Sequence, residues 1–95
     1  MKITTVRYRI APDRVHENIR LVREVFSQLR ETSPAGLRYA CLTPGDGSFM
    51  HIACGDEGVL TSLQSFQEFR ADFHDRAIEP ATFTGFEVVG NFSIF

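Results

Sequence analysis

The apolar residues of this chain change their spacing several times, and the order of these changes restricts the fold more than any other feature. Alternation in "ITTVRYRI" predicts a first strand. Helical spacing follows, from Asp13 as the predicted N-cap to the "SPAG" segment that ends the helix. The buried stripe of this helix is predicted to contain Val15, Ile19, Val22, Phe26 and Leu29.

The second half of the chain repeats the pattern after a central hairpin. "LRYACL" and "FMHIAC" are predicted strands around "TPGDGS", whose proline, glycines and aspartate suit a turn. A second helix is predicted from Val59 to about Glu79, with Pro80 as its stop. "FTGFEVVGNFSIF" supplies a fourth strand and, after Gly90, an apolar tail.

The resulting order, β-α-β-β-α-β, predicts an α+β fold of the ferredoxin-like type. Right-handed crossovers favour an antiparallel four-stranded sheet in the order 4-1-3-2, with two helices on one face. The chain has 95 residues, 43% of them hydrophobic, which is enough for one core, so a single domain over 1–95 is predicted. Two helices cover only one face of such a sheet, so the other face must meet water or a partner.

Composition excludes several classes of partner. Ten basic and twelve acidic residues give a net charge of −2 without a run of one sign, so we expect no nucleic-acid partner. No stretch is apolar and long enough for a membrane span or a signal peptide, so we expect no membrane and a cytoplasmic location. In that compartment Cys41 and Cys54 are expected to be free thiols.

The stretch "CLTPGDGSFMHIAC" raises the question of a metal or redox site. If the "TPGDGS" hairpin has a four-residue loop, Cys41 pairs with Met50, and both cysteines face the helices at roughly 13 Å from each other. This separation excludes a disulfide, and His51 then points to the opposite face, so no metal site is predicted. A register shift of one residue would instead place Cys41 beside His51 and allow a thiolate and histidine pair.

The sheet face opposite the helices is predicted to mix apolar and charged side chains. Arginine supplies nearly all of the positive charge, and arginine suits packed, hydrogen-bonded pairing better than lysine does. We therefore predict a homodimer interface here; the alternative is an anion site inside a barrel. The predicted interface residues are Arg7, Arg9, Arg38, His51, Glu87, Phe92 and Ile94.

Over nearly its whole length the chain resembles the dimeric α+β barrel superfamily, in particular the antibiotic-biosynthesis-monooxygenase-like group. The resemblance rests on the element order, on the aromatic second helix "LQSFQEFRADFHDR" and on the closing "FEVVGNFSIF". It implies a homodimer whose two sheets face each other as a barrel. Known members include cofactor-independent monooxygenases of polyketide or quinol-like aromatics, and haem-degrading enzymes.

Few active-site residues of the characterised members have a counterpart in this chain. This chain has no Trp, and its first strand has no Asn, whereas both residue types contribute to the active sites of the characterised members. His74 is similar in its region to the haem-ligating histidine of the haem-degrading members, and it is our candidate for an acid or base. We expect no bound cofactor and no metal.

If the protein binds a small molecule, we predict a hydrophobic aromatic between the second helix and the sheet. Alternatively, the tyrosine hydroxyls bond to the backbone or to each other, and Arg70 reaches solvent and pairs with Asp72 or Asp75. The predicted function is therefore a cofactor-independent monooxygenase or an aromatic binder; the alternative is a catalytically silent regulatory or accessory dimer. The predicted ligand contacts are Tyr8, Tyr39, Phe66, Arg70, Phe73 and His74.

Overall fold

The computed structural model describes residues 2–95 and confirms the predicted α+β, ferredoxin-like fold. Its antiparallel sheet has the strand order β2-β3-β1-β4, which is the predicted order 4-1-3-2 seen from the other edge. Within residues 2–95 no helix is long and apolar enough to cross a bilayer. The elements are β1 Lys2–Arg9, α1 Val15–Thr32, β2 Leu37–Leu42, β3 Ser48–Gly55, α2 Glu57–Thr61, α3 Gln64–Ala71, α4 Phe73–Arg76 and β4 Thr82–Glu87.

The first helix starts one residue later than the sequence indicates. A 3-10 turn over Pro12–Arg14 precedes it, so Asp13 lies inside that turn and the N-cap is Arg14, without a side-chain cap. The predicted N-cap Asp13 is therefore wrong, because the proline φ is compatible with a tight turn at this point. The most deeply buried residues of α1 are Asn18, Leu21, Val22 and Val25.

The predicted second helix is divided into α2, α3 and α4, so the prediction of one continuous helix is wrong. Leu63 is extended between α2 and α3, and Asp72 separates α3 from α4. After Arg76 the chain pairs with the end of β1: Ala11 N donates to Arg76 O at 2.9 Å, and Ala77 bridges Ile10. This pairing ends the helical segment and turns Arg76 into the core.

The register of the central hairpin decides which residues of β3 face the helices. Cys41 lies opposite His51, and Leu42 lies opposite Met50. An odd number of residues separates Leu42 from Met50, so the register differs by one from the predicted pairing of Cys41 with Met50. Because successive side chains alternate, this shift exchanges the two faces of β3.

The helix-covered face of the sheet therefore includes Tyr8, Tyr39 and His51, whereas the open face includes Arg7 and Met50. The prediction that Met50 and Cys54 face the helices is wrong, as is the prediction that His51 faces away. Cys54 lies opposite Arg38, so it is on the other face from Cys41.

The last strand also differs from the predicted arrangement. Glu87 lies opposite Lys2, on the same side of the sheet as Tyr8, and its carboxylate is 3.7 Å from Lys2 Nζ. Glu87 is therefore wrongly predicted for the open face. Phe86, which lies opposite Ile3, occupies the open face instead.

The core lies between the sheet and the helices. Its centre is aromatic: the Tyr8 ring stacks on Phe49 at 5.5 Å and meets Phe73 edge-on at 4.9 Å. The aromatic rings fill the space in which the sequence predicts a ligand. The buried cluster consists of Tyr8, Ile10, Leu21, Val22, Val25, Phe49, Leu60, Leu63 and Phe69.

Candidate functional site

A chain of hydrogen-bonded polar side chains crosses the core from α4 to β2. Arg76 Nε donates to Asn18 Oδ1 at 3.1 Å, and Asn18 Nδ2 donates to the Tyr8 hydroxyl at 3.0 Å. The same hydroxyl lies 2.7 Å from His51 Nε2. His51 Nδ1 is hydrogen-bonded in turn to the hydroxyl of Tyr39. Five side chains from α4, α1 and three strands thus form one polar path through an aromatic core.

The hairpin register brings His51 into this path. Val6 and Cys41 are the direct cross-strand neighbours of His51, so Tyr8 and Tyr39 lie diagonally on either side of it. Diagonal neighbours of this kind are within reach of aromatic side chains. The imidazole therefore bridges two tyrosines that do not contact each other through their hydroxyls.

Arg76 begins the path and is completely buried. Its Nη2 donates to Phe69 O at 2.6 Å, and its guanidinium lies 5.2 Å from the Phe69 ring centre and 5.8 Å from that of Phe73. Within residues 2–95 its Nη1 has no hydrogen-bond partner, and the guanidinium has no ion pair. A buried cation held by neutral acceptors and aromatic faces is costly, which points to a specific role for this arginine.

Burial keeps His51, Cys41 and the two tyrosines neutral at pH 7. It lowers the pKa of His51 to about 4 and raises the pKa of the Cys41 thiol to about 11. Burial also raises the pKa of both tyrosine hydroxyls, Tyr8 and Tyr39, above their usual range. Cys41 Sγ is 3.4 Å from His51 Nε2, so the alternative register is the one observed, but the pair is a thiol and a neutral imidazole.

The direction of the hydrogen bonds follows from the arginine. Because a guanidinium only donates, Asn18 must present its oxygen to Arg76 and its NH₂ to Tyr8. The Tyr8 oxygen therefore accepts, and Nε2 of His51 is the acceptor in reach of the Tyr8 proton. Neutral His51 then carries its own proton on Nδ1 and donates it to the Tyr39 oxygen.

This order leaves the Tyr39 O–H free to donate outside the path. No acceptor for it occurs among residues 2–95. Tyr39 is half-buried and lies in the wall of a groove between α1 and β2, the α1–β2 groove, with a volume of about 430 Å³. Phe26 of α1 stacks on the Tyr39 ring at 5.1 Å with an interplanar angle of 15°. The lining residues are Ile19, Val22, Arg23, Phe26, Arg30, Tyr39, Ala40, Cys41, Thr43 and Phe49.

A second groove, of about 570 Å³, lies on the open face near the central hairpin. Arg7 and Arg9 line it together with Leu42 and Met50. Arg9 is already 3.7 Å from the carboxylate of Asp46 and donates to Asp46 O at 3.1 Å. This groove therefore belongs to the surface for which the sequence predicts a dimer interface.

The structure divides the predicted ligand contacts into two groups. Tyr8 and Tyr39 come together through His51, and Phe73 packs against Tyr8. Arg70 and His74 are exposed on the outer side of the helices, where Arg70 lies 6.0 Å from the centre of the half-buried Phe66 ring.

His74 is exposed and lines neither groove, and its ring centre lies 6.2 Å from that of Phe73.

The predicted interface residues are also divided. Arg7 and Arg38 are exposed, and in the tail the side chains of Phe92 and Ile94 are 92% and 72% exposed. His51 is only 6% exposed on the helix-covered face, so its assignment to the interface is wrong. The physical reason is the register of the hairpin, which places His51 opposite Cys41 and turns its side chain towards the helices.

Two members of the polar path, Asn18 and Arg76, escaped the sequence analysis. Asn18 precedes Leu21 and Val22 by three and four residues and so shares their buried stripe. Arg76 follows Phe69 and Phe73 at helical spacing. A single polar residue within an apolar stripe was the available signal in both cases.

Comparisons with known proteins support the fold. No protein-family model matches the sequence, and no curated protein has a significant sequence match to it. Among solved structures, an antibiotic biosynthesis monooxygenase has 17% identity and a TM-score of 0.77, over 95% of this chain and all of that one. A Nitrosomonas europaea protein provisionally assigned the same activity has 18% identity and a TM-score of 0.78, over 95% and 100%.

Rv0793 from Mycobacterium tuberculosis has 15% identity and a TM-score of 0.74, over 97% of this chain and 98% of its own. At these identities the likeness concerns the fold. The chain has the ferredoxin-like fold of the antibiotic biosynthesis monooxygenase-like proteins, as the sequence resemblance implies.

Proposed function

We propose that this protein binds a small hydrophobic aromatic compound in the α1–β2 groove, with Tyr39 as the hydrogen-bond donor. The observation that carries the proposal is that Tyr39 lines the groove while its hydroxyl is hydrogen-bonded to His51. The direction assigned to the path leaves the proton of this hydroxyl free for an acceptor on the ligand. A donor fixed in this way binds an acceptor without first losing side-chain freedom.

The shape and lining of the groove favour a flat apolar ligand. Its volume of about 430 Å³ falls within the range of about 300 to 1,000 Å³ that is common for small-molecule sites. Phe26 and Tyr39 stack nearly parallel, and Ile19 and Val22 extend the apolar wall. An aromatic ring can pack against these side chains and present an oxygen to Tyr39.

The binding experiment compares Tyr39 with His74, which the sequence analysis predicts as a ligand contact. A panel of naphthols and other hydroxylated aromatics would be titrated into the wild-type protein, Tyr39→Phe and His74→Gln, with amide NMR shifts as the readout. We expect shifts along α1 and β2, weaker binding by Tyr39→Phe and unchanged binding by His74→Gln. Shifts confined to α3 and α4, with loss of binding in His74→Gln, would refute the groove.

Cofactor-independent monooxygenation is the second candidate function. The fold of the structural neighbours favours it, and so does a donor that can stabilise a substrate oxyanion. In such a reaction the electron-rich substrate supplies the electrons, one oxygen atom of O₂ enters the product and the other leaves as water. Both His51 nitrogens are already engaged, so the path holds no spare base and binding comes first.

Oxygen consumption separates these two functions. A bound aromatic that is oxidised with uptake of O₂ would support monooxygenation. A bound aromatic that is recovered unchanged from aerated solution would support the alternative of a catalytically silent regulatory or accessory module.

We also propose a homodimer formed through the open face and the tail, in a cytoplasmic protein. Leu42 and Phe86 are 50% and 47% exposed, and the tail adds Phe92. An apolar surface of this extent favours association. Both cysteines are free, which supports a reducing compartment. Sedimentation at micromolar concentration should show a dimer; a monomer alone would refute it.

A further inference from the structure

The charges around the α1–β2 groove are all of one sign. Arg23 and Arg30 line it, and none of its lining residues is an aspartate or a glutamate. The polar groups that remain, on Tyr39, Cys41 and Thr43, are uncharged. We infer that the ligand of this groove is an aromatic carboxylate, bound with its ring against Phe26 and its anionic group within reach of the two arginines. This inference rests on the proposed binding function.

The arrangement of α1 supports this assignment. Arg23, Phe26 and Arg30 are separated by three and four residues, so they lie along one side of the helix with the aromatic ring between the two cations. Arg23 and Arg30 are about 10 Å apart along the helix axis, at 1.5 Å per residue. A bicyclic aromatic acid can span part of this distance and place its carboxylate near either arginine.

The remaining arginines near α1 provide an internal comparison. Arg14 is paired with Glu17 at 2.7 Å, and Arg20 is paired with Glu24 at 2.8 Å. Within residues 2–95, neither Arg23 nor Arg30 has an ion pair. Glutamates of α1 therefore pair with Arg14 and Arg20, which lie away from the groove. Arg23 and Arg30, which line the groove, have no carboxylate partner and can bind an incoming anion.

The floor of the groove contributes a donor and no competing charge. Burial raises the pKa of Cys41 to about 11, so its thiol adds no negative charge at pH 7. The direction of the path from Arg76 to Tyr39 makes the Tyr39 hydroxyl a donor to the ligand. A carboxylate, which only accepts hydrogen bonds when ionised, is complementary to both the donor and the cations.

The test uses 2-naphthoate and 2-naphthamide, which share a ring system and differ in charge. Isothermal titration calorimetry at pH 7 and low ionic strength should give a dissociation constant about tenfold lower for naphthoate, since exposed ion pairs contribute modestly. The variant Arg23→Gln/Arg30→Gln should lose this preference and keep its affinity for naphthamide. The matched control Arg20→Gln/Arg70→Gln removes the same charge away from the groove and should keep the preference. Added salt should weaken naphthoate binding alone.

Two results would overturn the inference. If naphthoate and naphthamide bind equally well, or if Arg23→Gln/Arg30→Gln weakens both alike, the groove binds aromatics without selecting an anion. In either case the wild-type protein still binds naphthamide, so the proposed binding function survives. If neither compound binds to the wild-type protein, both proposals fail.

Discussion

The two faces of the sheet differ in the environment of their polar side chains, which are buried and hydrogen-bonded to one another on one face and exposed to solvent on the other. On the helix-covered face, Arg76, Asn18, Tyr8, His51 and Tyr39 are linked in one path, and the polar atoms of this path are paired except at its two ends. On the open face, arginines reach solvent beside exposed apolar side chains. The covered face pairs most of its polar atoms within the chain, whereas the open face leaves apolar side chains such as Leu42 and Phe86 exposed. The predictions below test this contrast, from the largest expected effect to the smallest.

The substitution Arg76→Met should destabilise the fold most. It leaves Asn18 Oδ1 and Phe69 O buried without their donor, and a buried unsatisfied polar group costs about 1 to 3 kcal/mol. We expect a loss of about 4 kcal/mol in the free energy of unfolding by urea. Arg70→Met, on the exposed side of α3, should change it by less than about 0.5 kcal/mol. Equal stability of the two variants would contradict the structural role of Arg76.

The second effect is a pH dependence from His51. Its folded pKa of about 4 lies below the unfolded value of 6.5, so the unfolded state binds more protons between these values. The stability contribution is complete above pH 6.5 and is lost as the pH falls towards 4. We expect a loss of about 3 kcal/mol over this range.

Tyr8, Tyr39, Cys41 and Arg76, which surround His51, do not change charge between pH 7 and pH 4. Urea unfolding of the wild-type protein and of His51→Gln at pH 7, 5.5 and 4 isolates the histidine, because the carboxylates are common to both. A difference between the two proteins that is constant with pH would show that His51 is not buried as a neutral group.

The two tyrosines should differ because they hold different places in the path. Tyr8→Phe leaves Asn18 Nδ2 and His51 Nε2 without their common partner, so we expect a loss of about 2 kcal/mol in unfolding free energy. Tyr39→Phe removes one bond beside a groove that water can enter, so about 1 kcal/mol is expected. Identical losses would contradict the assignment of two buried partners to the Tyr8 hydroxyl and one to the Tyr39 hydroxyl.

The last prediction concerns the open face. Phe86→Asp should raise the dissociation constant of the proposed dimer at least about tenfold, equivalent to about 1.4 kcal/mol, because it places a charge in the interface. Phe83→Asp is a matched control, since Phe83 is 72% exposed on the same strand but lies on the opposite side of the sheet. Analytical ultracentrifugation over a concentration series measures both. A larger effect from Phe83 would place the interface on the other side of β4.

Periodicity predicted the element order and the sheet topology, because the alternating and helical patterns are set by which residues meet the core. It failed where tertiary contacts decide. "TPGDGS" indicates a turn, but its residues do not reveal whether the loop has an odd or an even length. Nor do the residues near Ser62 and Asp72 indicate helix ends, since neither proline nor glycine is present there; the pairing of Ala77 with Ile10 brings the segment to its end.

The candidate site shows the same division. Tyr8 and Tyr39 were found from strand alternation alone, which depends only on local geometry. His51 was assigned to the wrong face with the hairpin register. Arg76 was missed because its burial depends on a bridge between distant parts of the chain.

The hairpin turn carries an evolutionary consequence. Gly47 has a φ of +91°, its carbonyl accepts from Ile10 N at 2.8 Å, and an added Cβ would lie 3.3 Å from Ile10 O, so the loop is fixed to the end of β1. Loss or gain of one residue between 43 and 47 would send His51 outward and bring Met50 into the aromatic core, while nearly every other residue stayed the same. Surface loops ordinarily tolerate such changes in length. In descendants of this protein, the exposed residues of this turn other than its glycines should accept substitutions, while the length of the turn should stay constant.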